Sequence, residues 1–261
     1  MIFDTHAHYD DESFDADREE LIESLSFNGV GAVTNSGADM DGCRASLELS
    51  RRYPFFYASI GVHPDECACM DEAAFAELKR MAEDPRAVAV GEIGLDYHGF
   101  DIYDDKPPKE LQQKWFRRQL ELAVELDKPV VIHSRNACED TLEMMKRAHE
   151  EGLKGGIIHC FSYSKETALQ YLDMGFCLGI GGVLTYSGQK KLNKVLEITP
   201  MEQITLETDC PYLAPEPDRH RRNCSIYLKA VVARLAEIKG ISEAEVERIT
   251  WENACRVYGL H

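Results

Sequence analysis

Strand-like and helix-like segments alternate along this chain from end to end, and that alternation limits its possible folds more than any single residue does. After an opening strand, apolar runs recur at 29–35 (GVGAVTN), 55–61 (FFYASIG), 87–91, 129–132, 155–158, 176–180 and 204–206. Most are apolar on both faces, the pattern of a strand buried on both sides. Helical patterns lie between them, at about 41–52, 71–82, 137–149 and 165–174, with a long one running from Pro107-Pro108 to near 127 and a weaker one after Ser187. Before all of these, a capping-box pattern, Asp17-Arg18-Glu19-Glu20, opens a helix that covers Leu21, Ile22 and Leu25. Two more close the chain, the last opened by Ser242-Glu243-Ala244-Glu245. Buried strands joined by helical crossovers pair in parallel, and eight of them predict an α/β fold of the (β/α)8 TIM barrel type. Residues 1–261 are read as a single domain, a length ordinary for such barrels. A doubly wound open sheet is the alternative, but no Gly-rich phosphate loop follows the first strand.

A barrel brings the C-terminal ends of its strands to one mouth, where barrel enzymes carry their chemistry. Metal-ligand residues stand at those ends here. The first strand runs into His6 and His8, which alternation places on one face. Glu92 ends strand four, His133 strand five, His159 strand six and Asp209 strand eight. Each has a plainer role when taken alone, as a surface acid, a core histidine or a loop cap. Six at strand ends together point to one divalent-metal centre. Glu92, between AVAVG and IGL, needs a cation or donor, because an unpaired carboxylate there is costly. Mixed imidazole and carboxylate ligands suit zinc, manganese, iron, nickel or cobalt, with magnesium also compatible, better than a calcium cage.

Composition narrows the partners. The chain has 46 acidic against 29 basic residues, a formal net charge of −17, and so offers no broad basic footprint for duplex nucleic acid. No apolar stretch is long enough for a membrane span, and the acidic start does not resemble a secretory signal. Nine scattered cysteines without a C-x-x-C pair fit reduced thiols and a cytoplasmic location.

The motifs DTHAH (4–8), GVHP (61–64), GEIGLDY (91–97), QLELA (119–123), PVVIHSR (129–135), HCFS (159–162) and LETDCPYLAP (206–215) span nearly the whole chain. Together they resemble the TatD family of metal-dependent hydrolases, within the amidohydrolase-like barrels. The resemblance implies one or two divalent cations per chain and phosphodiesterase activity on DNA. It implies that His6, His8 and Asp209 hold one cation, that His133 and His159 hold the second, and that Glu92 bridges them. Two departures stand out: Tyr163 replaces the family's usual glycine after HCFS, and Arg219–Ser225 lacks the Glu-Pro of the usual R-G-x-R-N-E-P. Arg219, Arg222 and Asn223 still match that segment.

The expected activity is therefore an exonuclease-type deoxyribonuclease, working through a water activated by bound metal, with Asp209 and Glu92 as catalytic groups. DNA ends or single-stranded DNA are the expected substrates. His63, in GVHP, together with Arg135, Arg219 and Arg222, is placed to contact phosphate. Asp4 and Glu207, two residues below His6 and Asp209, are expected to orient ligands or to form a buried pair. No protein partner is implied, and a monomer is expected. The rivals are another metal-dependent hydrolase on this barrel, acting on an amide, lactone or nucleic-acid ester, and a non-catalytic metal-binding scaffold.

Overall fold

The structure is a computed structural model that describes residues 1–100, 102 and 106–260. Eight strands and nine α-helices alternate among these described residues. In chain order they are β1 (Ile2–Ala7), α1 (Arg18–Ser24), β2 (Val30–Ser36), α2 (Met40–Arg52), β3 (Phe56–Ser59), α3 (Glu72–Ala82), β4 (Ala87–Asp96) and α4 (Lys109–Glu125). The second half runs β5 (Val130–Arg135), α5 (Cys138–Glu150), β6 (Gly156–Ile158), α6 (Lys165–Asp173), β7 (Cys177–Ile180), α7 (Lys190–Ile198), β8 (Ile204–Leu206), α8 (Leu228–Lys239) and α9 (Glu243–Tyr258).

Every strand pairs in parallel with the next, in the order β1 to β8. The circle closes where the chain beyond β8 meets β1: Asp209 N donates to His6 O at 3.0 Å, and His8 N donates to Cys210 O at 2.8 Å. This is the expected (β/α)8 barrel, and the open sheet is excluded.

Four of these nine α-helices start on a side-chain cap. The side chains of Asp39 and Asp71 accept from Gly42 N and Ala74 N, and Ser242 and Glu245 form the expected capping box. The capping box expected at Asp17 does not form. Its carboxylate turns to Arg222, at 2.8 and 2.6 Å, because a bidentate charged partner outcompetes a terminal amide.

The strand expected to stop at Gly91 continues to Asp96, and β5 continues past His133 to Arg135. The two extend together, with Ile93, Gly94, Leu95 and Asp96 pairing with Ile132, His133, Ser134 and Arg135. Gly94 makes this possible: a Cβ there would lie 1.8 Å from His133 O, and its φ is +151°. Glu92 and His133 consequently sit on rigid strand, not on loops.

The nine cysteines are all free, including Cys67 and Cys69. No helix among the described residues is long and apolar enough to cross a membrane.

Candidate metal centre

The two histidines of β1 lie at the mouth with their Nε2 atoms 3.0 Å apart. His8 Nδ1–H donates to Ser36 O at 2.9 Å, which leaves the Nε2 lone pair facing inward. The same point is approached by Glu92 Oε2, 3.3 Å from His6 Nε2 and 3.7 Å from His8 Nε2. Asp209 Oδ1 completes the cluster at 3.6 and 3.5 Å from the two imidazoles.

On the other side of Glu92, His133 Nδ1 lies 2.9 Å from Oε1 while its Nε2 lies 3.0 Å from Asp96 Oδ2. With Nε2–H donated to Asp96, Nδ1 directs a lone pair at a carboxylate oxygen. Two acceptors at that distance are favourable only with a proton or a cation between them. Asp96 itself is held by Lys106 Nζ at 2.8 Å and by His98 N at 2.8 Å. His63 Nε2 is 4.0 Å from the same Glu92 oxygen, its ring edge-on to His133.

His159 stacks on His6 with ring centroids 3.7 Å apart, and its Nε2 lies 3.9 Å from Glu92 Oε1 and 3.5 Å from Asp209 Oδ1. Glu207 Oε1 is 3.0 Å from the far nitrogen of His159, near enough for an ion pair though not aligned as a hydrogen bond. It also accepts from Cys160 N. Asp4 faces away from the imidazoles. Its carboxylate accepts from Thr208 N at 2.9 Å, from Thr208 Oγ1 and Ser225 Oγ at 2.6 Å each, and from His6 N at 3.3 Å. Asp4 and Glu207 therefore play separate parts: Asp4 ties β1 to the segment beyond β8, and Glu207 backs His159.

Four groups of ligand atoms, each within 4.8 Å, occur among the described residues: His6, His8 and Asp209; His6, Glu92 and His159; His63, Glu92 and His133; and, behind His159, His159, Cys160 and Glu207. The grouping differs from the expected one in detail. His133 stands with His63, and His159 with His6, although both meet Glu92 Oε1.

The electrostatics match this crowding. Burial opposes charge on Glu92, but the His6, His133 and His159 imidazoles outweigh it and hold its carboxyl well below the usual range. Burial likewise works to lower His8, His133 and His159. Asp209 overcomes it to push His8 up to about 9, Asp96 and Glu92 push His133 up to about 9, and Glu207 and Asp209 push His159 up to about 10. Burial and the neighbouring His133 lower His63 to about 3. A pocket that draws protons onto imidazoles this strongly is short of positive charge. Inward-facing imidazole lone pairs and two carboxylates are the donor set a divalent transition ion takes, so the residues fit a metal.

The arginines expected to meet phosphate are not drawn into this cluster. Arg135 ends β5 and is exposed. Arg219 lies over the Tyr186 ring, 4.2 Å from its centroid. Arg222 pairs its guanidinium with Asp17 and with Ser13 O, at 2.6 to 2.8 Å. Asp96 is the residue in contact with the cluster that sequence reasoning missed. Its signal was strand parity, since 92 and 96 share a face once β4 is known to continue.

Comparison with known proteins agrees with the geometry. A family model described as TatD related DNase matches residues 3–259. An uncharacterized metal-dependent hydrolase of Bacillus subtilis, YabD, is 39% identical over 261 residues, covering all of both chains. The 3'-5' ssDNA/RNA exonuclease TatD of Cronobacter sakazakii is 31% identical, over 98% of this chain and 97% of its own. Among solved structures, the TatD homolog YJJV of Escherichia coli superposes with a TM-score of 0.90 at 28% identity, covering 100% of this chain and 98% of its own. This chain belongs to the TatD family of metal-dependent hydrolases.

Proposed function

We propose that this protein is a cytoplasmic deoxyribonuclease of the exonuclease type, acting on DNA ends or single-stranded DNA as a monomer, with residues 1–261 forming one catalytic unit. The observation that carries the proposal is Glu92, buried between two sets of imidazoles and, among the described residues, paired with no lysine or arginine. The Cronobacter relative, named as an exonuclease on single-stranded DNA and RNA, supports the choice of substrate.

His6, His8 and Asp209 would hold one divalent cation and His133 and His159 a second, with Glu92 shared between them. Such ions supply a water ionised near neutral pH and positive charge against the phosphate oxygens. The chain's own groups do the rest. Glu92 fixes the spacing of the two ligand sets. Asp209 Oδ1, at the open side of the cluster, accepts the proton of the attacking water. His63, kept neutral by burial and by His133, offers a ring nitrogen to a phosphate oxygen or to the leaving group. Arg135 and Arg219 at the rim meet the flanking phosphates, while Arg222 holds its loop against Asp17.

The test is anaerobic purification, elemental analysis, and hydrolysis of end-labelled oligodeoxynucleotides with and without a chelator. Stepwise shortening that chelation stops and added metal restores is the expected result. Faster turnover of cyclic amides or lactones under the same metal would replace the nuclease reading with another hydrolase activity.

A further inference from the structure

An exposed aromatic ring stands beside the metal cluster, and the reaction chemistry does not use it. Tyr212 is 56% exposed although it lies only three residues beyond Asp209. The intervening chain is a tight turn, closed by Tyr212 N donating to Asp209 O at 2.8 Å, which keeps the two α-carbons within about 7 Å. The ring is not loose. Its hydroxyl donates to Asp11 Oδ2 at 3.0 Å, and its carbonyl accepts from Asn223 Nδ2 at 2.7 Å. Behind it the chain is braced on Gly182, where a Cβ would come within 2.1 Å of Leu213 O, so only glycine allows the approach. Leu213, 37% exposed, extends the apolar surface beside the ring.

A large side chain held at its tip and its backbone, yet more than half exposed, has already lost the freedom that binding would otherwise remove. The charge of the protein gives this ring a use. At −17 overall, and with Arg222 committed to Asp17, the surface around the mouth gives a polyanion little general attraction. Affinity for a strand must then come from contacts that do not depend on charge. Stacking of bases on aromatic faces is the main such contact in single-strand recognition, and it is indifferent to sequence because every base has a π-face.

We infer that Tyr212 is the stacking platform for the nucleobase next to the scissile phosphate, so that the enzyme recognises an unpaired base together with its phosphate. This rests on the nuclease reading of the same site. It makes Tyr212 a positioning residue, with the largest effect on KM. A paired base is already stacked within its duplex, so frayed or single-stranded ends are selected over closed ones.

The experiment measures kcat and KM of the metal-loaded enzyme on a single-stranded oligodeoxynucleotide. The same measurement is made on the oligonucleotide with an abasic residue at its cleaved end, and on methyl p-nitrophenyl phosphate. Tyr212→Ala should raise KM for the intact strand by between about five- and 150-fold, with kcat within about threefold of the parent. The abasic strand and the small diester should be affected less than about twofold. Tyr212→Trp and Tyr212→Phe should keep most of the affinity, the latter showing that the ring and not the Asp11 contact matters. An equal loss on intact and abasic strands would assign Tyr212 a structural role and overturn the platform. So would an unchanged KM while the parent still degrades the strand, leaving the nuclease reading intact. Failure of the parent to cleave any oligonucleotide while it hydrolyses the small diester would overturn both.

Discussion

Asp96 offers the sharpest test of how the centre is built, because it touches His133 from outside the ligand cluster. Its Oδ2 lies 3.0 Å from His133 Nε2, and Lys106 and the amide of His98 hold the carboxylate in place. A hydrogen bond to a charged partner contributes about 1.5–3 kcal/mol and a neutral one about 0.5–1.5. Asp96→Asn keeps an acceptor for the His133 N–H and removes the charge, so it should weaken the cation beside His133 by about 1–1.5 kcal/mol, roughly tenfold. Asp96→Ala removes the bond entirely and should approach 100-fold, the upper range for losing a carboxylate behind a metal-bound histidine. Lys106 does not become an orphan in either variant, because Asp65 also pairs with it at 2.9 Å. Competition against a chelator of known affinity, with elemental analysis at each step, should show one binding step weakened and the His6, His8 and Asp209 step unchanged. Activity should return at higher metal concentration. Equal weakening of both steps, or of neither, would refute the assignment of Asp96 to His133.

Glu92→Ala should remove metal from both positions and abolish hydrolysis, and full loading with normal activity would refute the bridge. Protons compete with cations for His8, His133 and His159, which are raised to about 9, 9 and 10, so metal affinity should climb as pH rises from about 6 to 9. Calorimetry in buffers of different ionisation enthalpy should detect the released protons, and activity should fall as pH drops through the histidine range. These values lie above the ordinary 6.5, so in the cation-free protein they stabilise the fold below that pH, and that contribution is lost as pH rises through 9 to 10. Asp4→Ala strips the acceptor from Thr208 and Ser225 where the barrel closes and should cost about 3–5 kcal/mol in urea unfolding; a loss under 1 kcal/mol would refute its role as a tie. With two rim arginines left to meet phosphate, log affinity for a single strand should fall with log salt at a slope no steeper than about −1.5, and a much steeper slope would require a basic surface that the structure does not have.

Some of the site could be read from the residues themselves, and the reasons differ by position. Alternation alone placed His6 and His8 on one face, and barrel closure brought Glu92, His133, His159 and Asp209 to the same mouth. Asp96 escaped notice because Gly91 and Gly94 look like the end of a strand. In the fold, Gly94 instead lets β4 run within touching distance of the β5 backbone. Asp17 misled in the opposite way. Its spacing is that of a cap, but Arg222 reaches it from 205 residues away, and such a partner leaves no local trace. The arginine loop was illegible for the same reason: motif matching identifies Arg219 and Arg222, while only packing shows that one rests on Tyr186 and the other is tied to an acid.

The buried acids themselves explain why the centre lies where it does. Asp4 is satisfied by hydroxyls and amides and Asp96 by a lysine, while Glu207 accepts one backbone amide and lies at ion-pair distance from His159. Glu92 and Asp209 are faced by imidazoles, and those imidazoles are shared. A buried carboxylate without a committed donor is costly, so the fold carries a charge deficit at those two residues. Divalent cations bound there would offset the deficit and supply positive charge toward an anionic ligand. On the proposed reading, a protein of net charge −17 would thus attract phosphate at the mouth where His63 and the proposed platform stand.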